Sequence, residues 1–308
     1  GQFFSASLRS LSGKSIRYGF RAVNSFGAKN RVIFPILYIN KPINDYELII
    51  GRWRKNISSE SSLSTGSLIR GYNSLPIPQV SFQLPNYKRF NFFDYNIWIK
   101  AGISHGWFPD GSYIRSPFLH EKHLYIKMPI KSHSYFSIGL VHDAMWGGET
   151  EKHGKQPQSM MDFIYVVTGQ PASNSGYEGE QLNALGNHLG IWDLTYSKET
   201  QSRIYQLYYQ HPFEDKSGMY QYFLDQLKKR RLTTKSFDGL VGFEIKNKSK
   251  GIISTFLYEY LNTMFQSGSK SAARSDSTYG QDDYFNHYIY SEGWSHKGQI
   301  IGNPLFMF

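Results

Sequence analysis

The segment from Asp94 to Trp146 alternates apolar and polar positions with a period of two, and this pattern constrains the fold most. From Tyr95 to Ile103 the odd positions carry Tyr, Ile, Ile, Ala and Ile, and the even positions carry Asn, Trp, Lys and Gly. Runs near Leu124 and Phe136 repeat the alternation. Because successive side chains of a strand point to opposite faces, each run predicts a strand with one apolar face. Three such strands in a meander indicate a sheet that forms a wall, with its apolar face against lipid hydrocarbon and its polar face toward a polar interior.

The predicted links between strands alternate in length along the chain. Short links fall near positions 12, 42, 88, 132, 199 and 248, and longer links fall near 27, 66, 112, 166, 224 and 274. Tight turns on one rim and long loops on the other are typical of an outer-membrane barrel. A soluble β-sandwich or propeller also alternates its faces and is the alternative. The link lengths favour an all-β fold, a transmembrane antiparallel up-and-down β-barrel.

Composition narrows the classes of partner without choosing among them. The 308 residues carry a net charge of +10 and no cysteine. The lack of cysteine excludes a disulfide scaffold and Cys-based metal sites. No apolar run approaches the ~20 residues of a membrane-spanning helix. Excess Lys and Arg suits an anionic partner, which could be nucleic acid, lipid phosphates or an acidic polysaccharide.

The tryptophans divide between the two faces of the predicted wall. Trp107, Trp146 and Trp192 fall on the apolar face where strands meet the long links, which predicts an interfacial aromatic girdle. Trp53 and Trp98 fall on the polar face. An inward tryptophan either packs against a plug or stacks on a sugar ring.

The histidines do not predict a metal site. His120 and His123 lie three residues apart on a predicted strand, so they point to opposite faces and cannot share an ion. The neighbours His142 and Asp143 meet the same objection. We therefore expect neither a metal nor a cofactor.

Charged residues on the polar face predict an ion-pair network in the lumen. A hydrolase could hide a paired-carboxylate site among them, but no nucleophile elbow or phosphate-binding loop is present. The basic run Lys228–Arg231 lies on a long link and either is solvated or faces anionic glycan or lipid phosphates. The predicted network includes Arg17, Arg21, Glu47, Lys100, Glu121 and Asp143.

Several phrases of the sequence carry a resemblance to a known family. They are ELIIGRWR at 47–54, LPIP at 75–78, SHGWF at 104–108, LHEK at 119–122, GEQLNALGNHLG at 179–190 and IGNPLF at 301–306. These phrases resemble the Wzi-type capsule-assembly outer-membrane proteins, in the form found in Bacteroidetes. The resemblance implies a closed barrel of eighteen strands in the bacterial outer membrane, with its long loops extracellular. It also implies a surface lectin that keeps capsular or exopolysaccharide attached to the cell, with no catalytic residues and no nucleic-acid partner.

Two hypotheses for function follow from the residues and the resemblance. The first is a non-catalytic barrel that binds polysaccharide at the long-loop rim, in contact with outer-membrane lipid and lipopolysaccharide. The second is an accessory barrel docked against other outer-membrane proteins. An enzyme or a porin fits less well. The candidate glycan-binding residues are Arg52, Trp53, Arg54, Trp98, Lys229, Arg230 and Arg231.

The predicted strand count bears on the extent of the domain. We count about thirteen or fourteen strands, no leader segment, and a Pro304 that interrupts any terminal strand. An incomplete set of strands would leave unpaired edges in lipid. We therefore expect residues 1–308 to form one barrel domain that is an interior portion of a longer polypeptide.

The barrel hypothesis predicts how the protein behaves in detergent. We expect β-type circular dichroism and heat-modifiable migration on a denaturing gel, because a closed set of paired strands resists unfolding until it is heated. A protein that stays monodisperse without detergent would contradict this prediction.

Overall fold

A computed structural model gives the fold of the chain. It describes residues 2–10, 15–26, 30–55, 61, 63–92, 95–111, 113–172, 184–215, 218–219, 238–249, 251–264, 266 and 282–305. Within these ranges no helix has the length and apolar character needed to cross a membrane.

The described residues form one large antiparallel sheet of twelve strands, in which each strand pairs with the next along the chain. This is the up-and-down order that the alternating links predict. Within the described residues, this sheet has one or two strands fewer than the expected thirteen or fourteen. The strands are β1 (Gln2–Arg9), β2 (Arg17–Phe26), β3 (Arg31–Ile43), β4 (Tyr46–Arg52), β5 (Gln79–Phe92), β6 (Tyr95–Trp107), β8 (Phe118–Lys131), β9 (Ser134–Trp146), β12 (Asn187–Glu199), β13 (Arg203–Phe213), β14 (Gly239–Asn247) and β15 (Thr255–Asn262).

Smaller elements lie outside the large sheet. Three short strands form a second sheet, two others form a hairpin, and one helix follows the second sheet. The second sheet comprises β7 (Ile114–Arg115), β10 (Glu149–Thr150) and β11 (Gly154–Lys155), the helix is α1 (Met160–Thr168), and the hairpin is β16 (Ser295–His296) with β17 (Gln299–Ile300).

The apolar face of the large sheet points outward, as the period-two pattern predicts. On β15, Phe256 and Tyr258 are 53% and 59% exposed. On β14, the outward Val241 and Phe243 flank the buried Gly242. Large apolar side chains that are exposed in continuous rows belong against an apolar surrounding rather than water.

One predicted turn is wrong. Residues 87–90 were expected to connect two strands, but they lie within β5, which runs to Phe92. The register between β5 and β6 shifts between Leu84 and Lys88, beside Pro85. Proline lacks a backbone donor and is accommodated in a sheet at a bulge, where the alternation of faces is interrupted. The register shift beside Pro85, and not a turn, therefore explains why the apolar–polar alternation breaks in this segment.

Two segments outside the large sheet fill the lumen at the long-loop end. Residues 63–78 and 282–303 pack together, and Trp294 Nε1 donates to Ile69 O at 2.8 Å. The wall contacts these segments from distant strands: Leu68 N donates to Gln210 Oε1 at 3.0 Å, and Tyr284 Oη donates to Asp238 Oδ2 at 2.6 Å. The sheet therefore curves around a plug with its own apolar core. Core members include Leu68, Ile69, Ile77, Tyr284, Phe285, Ile289, Tyr290 and Trp294.

On the inner face of the wall, some tyrosine rings lie directly over glycines of the neighbouring strand. A Cβ on Gly139 would stand 2.2 Å from Tyr125 Cε1, and one on Gly242 would stand 2.0 Å from Tyr208 Cζ. Gly139 is the register partner of Tyr125. Hydrogen at the glycine Cα leaves the ring room to lie flat on the wall, where Tyr125 Oη donates to Asp193 Oδ2 at 2.9 Å.

We expect Gly139→Ala to destabilise the barrel by about 1–3 kcal/mol, because the added methyl displaces the Tyr125 ring from the wall. The measurement is the urea midpoint of unfolding in micelles. Gly251→Ala is the control, because its added Cβ meets no atom closer than 4.0 Å. Equal midpoints for the two variants would contradict the prediction.

Candidate functional site

A cavity of about 1110 Å³ runs along the inner faces of the first six strands. It extends from Trp53 at the long-loop end to Arg17 and Glu47 near the short turns. Its described lining is strongly basic, since six cationic residues face one carboxylate, Glu47. The cationic residues are Arg9, Arg17, Arg21, Arg54, Lys55 and Lys100.

The chain enters this cavity through Gly51, near the end of β4. Gly51 has a φ of +126°, and a Cβ there would lie 2.1 Å from Leu37 O. Only glycine tolerates both conditions. β4 then ends at Arg52, and the next three residues, 53–55, join the cavity lining. A local backbone requirement therefore places an aromatic ring and two cations inside the barrel.

Aromatic rings and cations alternate at the long-loop end of the cavity. The rings of Trp53 and Tyr38 have centroids 6.4 Å apart. Lys55 Nζ lies 5.3 Å from the Trp53 ring centroid. The Arg54 guanidinium lies 5.3 Å from the Tyr72 ring, and its Nη1 donates to Tyr72 O at 2.7 Å. This arrangement offers an aromatic face next to positive charge.

A buried ion network joins the plug to the wall behind this end of the cavity. Arg70 Nε donates to Asp143 Oδ2 at 2.6 Å, and it lies 3.1 Å from Glu121 Oε1. Lys55 Nζ pairs with Glu121 Oε2 and donates to Ser104 Oγ at 2.9 Å. Two carboxylates on neighbouring strands are thereby neutralised by two cations from the long 53–78 link.

Burial and charge act in opposite directions on the two cations. Burial tends to lower the pKa of the Arg70 guanidinium, but Asp143 and Glu121 outweigh it and hold the pKa above its usual value. Burial lowers the pKa of Lys55, and Glu121 offsets part of that effect. The carboxylates therefore oppose the effect of burial on the pKa of both cations.

A second ion pair lies at the short-turn end of the cavity. Arg17 Nη1 donates to Glu47 Oε1 at 2.8 Å, and Gln83 Nε2 donates to Glu47 Oε2 at 3.3 Å. Arg21 and Tyr38 line the cavity between the two ends. Arg21, in the middle of the cavity, and Arg54, at its long-loop end, therefore add positive charge that Glu47 does not neutralise.

A smaller cavity of about 170 Å³ lies next to the first and shares Lys100 with it. Lys100 Nζ lies 4.4 Å from the Tyr125 ring centroid, and Lys127 Nζ lies 4.5 Å from that of Tyr135. The Trp98 ring meets Tyr135 edge-on at 6.2 Å. Trp98 therefore supports this lysine–tyrosine cluster and does not line the main cavity.

The other predicted site residues have separate positions. Arg52 lies outside the main cavity lining, and its Nη1 donates to Phe34 O at 3.4 Å. Lys229, Arg230 and Arg231 lie outside the described residues. The network residues Arg17, Arg21, Glu47, Lys100, Glu121 and Asp143 all have inward contacts or line the cavities.

The three tryptophans of the predicted girdle differ in their surroundings. Trp107 is 45% exposed on the outer face. Trp146 is 3% exposed and packs beneath α1, with its ring 5.7 Å from Phe163. The Trp192 Nε1 donates to Met219 O at 3.1 Å. Trp107 is thus the member of the three that reaches the surface most fully.

Sequence reasoning missed three residues of the site: Lys55, Arg70 and Tyr38. Arg70 was part of a link interpreted as an external excursion. Its signal is the apolar pair Leu68 and Ile69 directly before it, which has no reason to occur in a solvated Ser/Gly-rich loop. Tyr38 belongs to the nearly continuous apolar run of β3, in which alternation is hard to read.

Comparisons with known proteins agree with the fold and the resemblance. A family model described as capsule assembly protein Wzi matches residues 61–306. A solved structure is also similar, with a TM-score of 0.61 and 15% identity. It is described as Wzi, an outer-membrane protein involved in group 1 capsule assembly in Escherichia coli and a carbohydrate-binding β-barrel. The match covers 98% of this chain and 57% of that one, so the chain spans just over half the length of that protein. A search of curated proteins finds no match.

These comparisons test two of the predictions made from the sequence. The resemblance to Wzi-type proteins is confirmed by the family model. The all-β, antiparallel up-and-down barrel fold is confirmed by the structural likeness.

We expect Arg70→Met to destabilise the protein by about 3–5 kcal/mol, because Asp143 and Glu121 would lose a buried cation. The measurement is again the urea midpoint in micelles. Arg115→Met is the matched control: the Arg115 side chain is 63% exposed and pairs with Glu149 at 3.2 Å, so its loss should cost less than about 1 kcal/mol. Similar effects of the two substitutions would contradict a structural role for the Arg70 network.

Proposed function

The chain belongs to the Wzi capsule-assembly family, and from this membership we propose that it is an outer-membrane β-barrel that binds capsular or exopolysaccharide at the cell surface. Its long loops are extracellular in this proposal, and its exposed apolar rows face lipid. The structural neighbour's description as a carbohydrate-binding barrel supports the proposal. The observation that carries it is the large basic cavity that begins at Trp53.

The chemistry of the cavity suits an acidic polysaccharide. A sugar ring presents C–H groups to an aromatic face, which Trp53 and Tyr38 offer. Its hydroxyls bond to polar side chains such as Asn40 and Gln83. Guanidinium groups bind carboxylates and phosphates in two places at once, and Arg21 and Arg54 are available for this. The cavity can therefore offer an acidic polysaccharide aromatic stacking, hydrogen bonds and charge-assisted contacts.

The lining supports binding without catalysis. Glycoside hydrolysis uses two carboxyl groups that flank the bond to be cleaved. Among the described lining residues of the main cavity Glu47 supplies one carboxylate, and it is paired with Arg17. We therefore propose a lectin-like role that needs neither a metal nor a cofactor.

The cavity extends the proposed site deeper than the loop rim. Trp53 and Arg54 lie at the long-loop end, and Arg21 and Arg17 continue the basic surface down the inner wall. Each contact with a sugar contributes on the order of 1 kcal/mol. Binding should therefore rely on several contacts at once and on repeated units of the polymer.

We expect Arg21→Gln to weaken binding of an acidic capsular polysaccharide about five- to tenfold, because one charge-assisted contact is lost. Binding of a neutral dextran should be unchanged by this substitution. Trp53→Ala should weaken binding of both polymers, because stacking does not depend on charge. The measurement is titration of the purified protein in micelles at two salt concentrations, since salt screens the arginine contact over roughly 8–10 Å.

Matched variants control for changes outside the cavity. Arg203→Gln removes an exposed arginine at the start of β13, and Trp107→Phe alters an exposed ring on the outer face. Both should bind as the unmodified protein does. Unchanged binding by Arg21→Gln and Trp53→Ala, at equal folded protein, would remove the cavity as the glycan site and leave the docked accessory barrel as the better explanation.

A further inference from the structure

The outer face of the wall has a polar stretch near the long-loop end. Five polar side chains point outward here from four neighbouring strands: His105, His120, Lys122, His142 and His188. Four of them lie an even number of residues from an exposed apolar side chain on the same strand. The fifth, His142, is the register partner of the outward Lys122. Further down the same strands the outward positions are apolar. Imidazoles and an ammonium group on a lipid-facing surface are costly unless something covers them.

Helix α1 lies on this polar stretch. The Phe163 ring is 5.5 Å from the His105 ring and 5.6 Å from the His120 ring. The Lys122 Nζ donates to Val167 O in the last turn of the helix. There the ammonium group meets the negative end of the helix dipole. The helix therefore shields the polar stretch and neutralises part of its charge.

Hydrogen bonds beneath α1 account for two of the histidines. The Leu185 carbonyl can only accept, so His188 Nε2 donates to Leu185 O at 2.8 Å. His188 Nδ1 then accepts from His142 Nε2 at 2.8 Å. Val166 and Leu185 are fully buried over this pair, together with Trp146. These residues form a second apolar core, outside the barrel, with the wall between it and the plug.

The opposite face of α1 is also apolar. Met160, Met161 and Ile164 are 77%, 54% and 46% exposed, and positions 160 and 164 lie one turn apart on one stripe. The charged residue in the helix, Asp162, is buried and bonds to Ser159 N at 2.7 Å as part of the N-terminal capping box. A helix that is apolar on both faces is covered on both faces.

The height of α1 on the wall identifies its surroundings. Its inner face contacts Trp146, whose register partner is Phe118, and Phe118 in turn pairs with Trp107. Trp107 is exposed at this level, and exposed tryptophans at strand ends mark the boundary between acyl chains and headgroups. Nearer the short turns, on the outward face of the strands that α1 covers, Ile103 and Leu124 are 42% and 46% exposed.

We propose that α1 is an interfacial helix that lies on the outside of the barrel and inserts Met160, Met161 and Ile164 among the acyl chains of the outer leaflet. Its inner face covers the polar stretch and so separates these side chains from lipid. The proposal rests on the membrane location given above. It goes beyond polysaccharide binding, because it assigns a lipid-contacting role to a link between two strands.

Spin labels test the position of the helix. Because the chain has no cysteine, Ile164→Cys gives a single labelling site, and Met161→Cys gives a second one should the first variant fold poorly. Leu207→Cys on the outward face of β13 is the lipid reference, and Glu151→Cys on the exposed turn is the aqueous reference. The full chain is reconstituted in phosphatidylethanolamine–phosphatidylglycerol vesicles. Collision of each label with oxygen and with a nickel chelate is measured.

We expect the oxygen-to-nickel collision ratio at position 164 to be several-fold higher than at 151 and close to that at 207. A ratio at 164 equal to that at 151 would place α1 in water and overturn the proposal. Low collision with both reagents would also overturn it, because the stripe would then be covered by protein, either a second copy or another partner. A nickel-accessible label at 207 would instead contradict the membrane location itself, which separates the two failures.

Discussion

The pairing of Arg70 with Asp143 and Glu121 determines how the lumen is filled. The two carboxylates lie on adjacent inward positions of β8 and β9, and their side chains are 0–9% exposed. Buried carboxylates without cations would destabilise the wall by several kcal/mol. The 53–78 link supplies both cations, and it reaches them only by entering the barrel. Charge balance on the wall therefore requires the plug.

The position of the plug in turn creates the candidate glycan site. Lys55 bonds to Glu121, so the residues just before it cannot leave the lumen, and Trp53 stays beside Tyr38. The plug core around Trp294 occupies the side of the lumen lined by β8 to β14. The open space remains along β1 to β6, where the wall carries arginines. One ion network thus separates a packed half of the lumen from a basic, accessible half.

The sequence predicts the faces of the strands well, because alternation depends only on local geometry. Glu47 and Trp53 point inward and Trp107 outward, as their parity indicates. It does not predict α1, since the run from Phe163 to Val167 is short and could pack in a loop as readily as form a helix. The plug is missed for the same reason, because its apolar residues lie in links that lack periodicity. What decides these segments is contact with distant strands, such as Leu68 with Gln210.

The part of the wall between the plug and α1 is buried on both faces. The alternation of buried and exposed positions is therefore lost there. From Val141 to Trp146 every residue of β9 is buried, so inward and outward positions no longer differ in exposure. A strand enclosed in this way cannot bend independently of either core. Successive residues of β9 therefore serve the two cores: His142 bonds to His188 beneath α1, and Asp143 pairs with Arg70 on the inner side. Helix α1 and the basic cavity are thus connected through this one strand, by the contacts of Trp146 with Phe163 and of Asp143 with the Arg70 network.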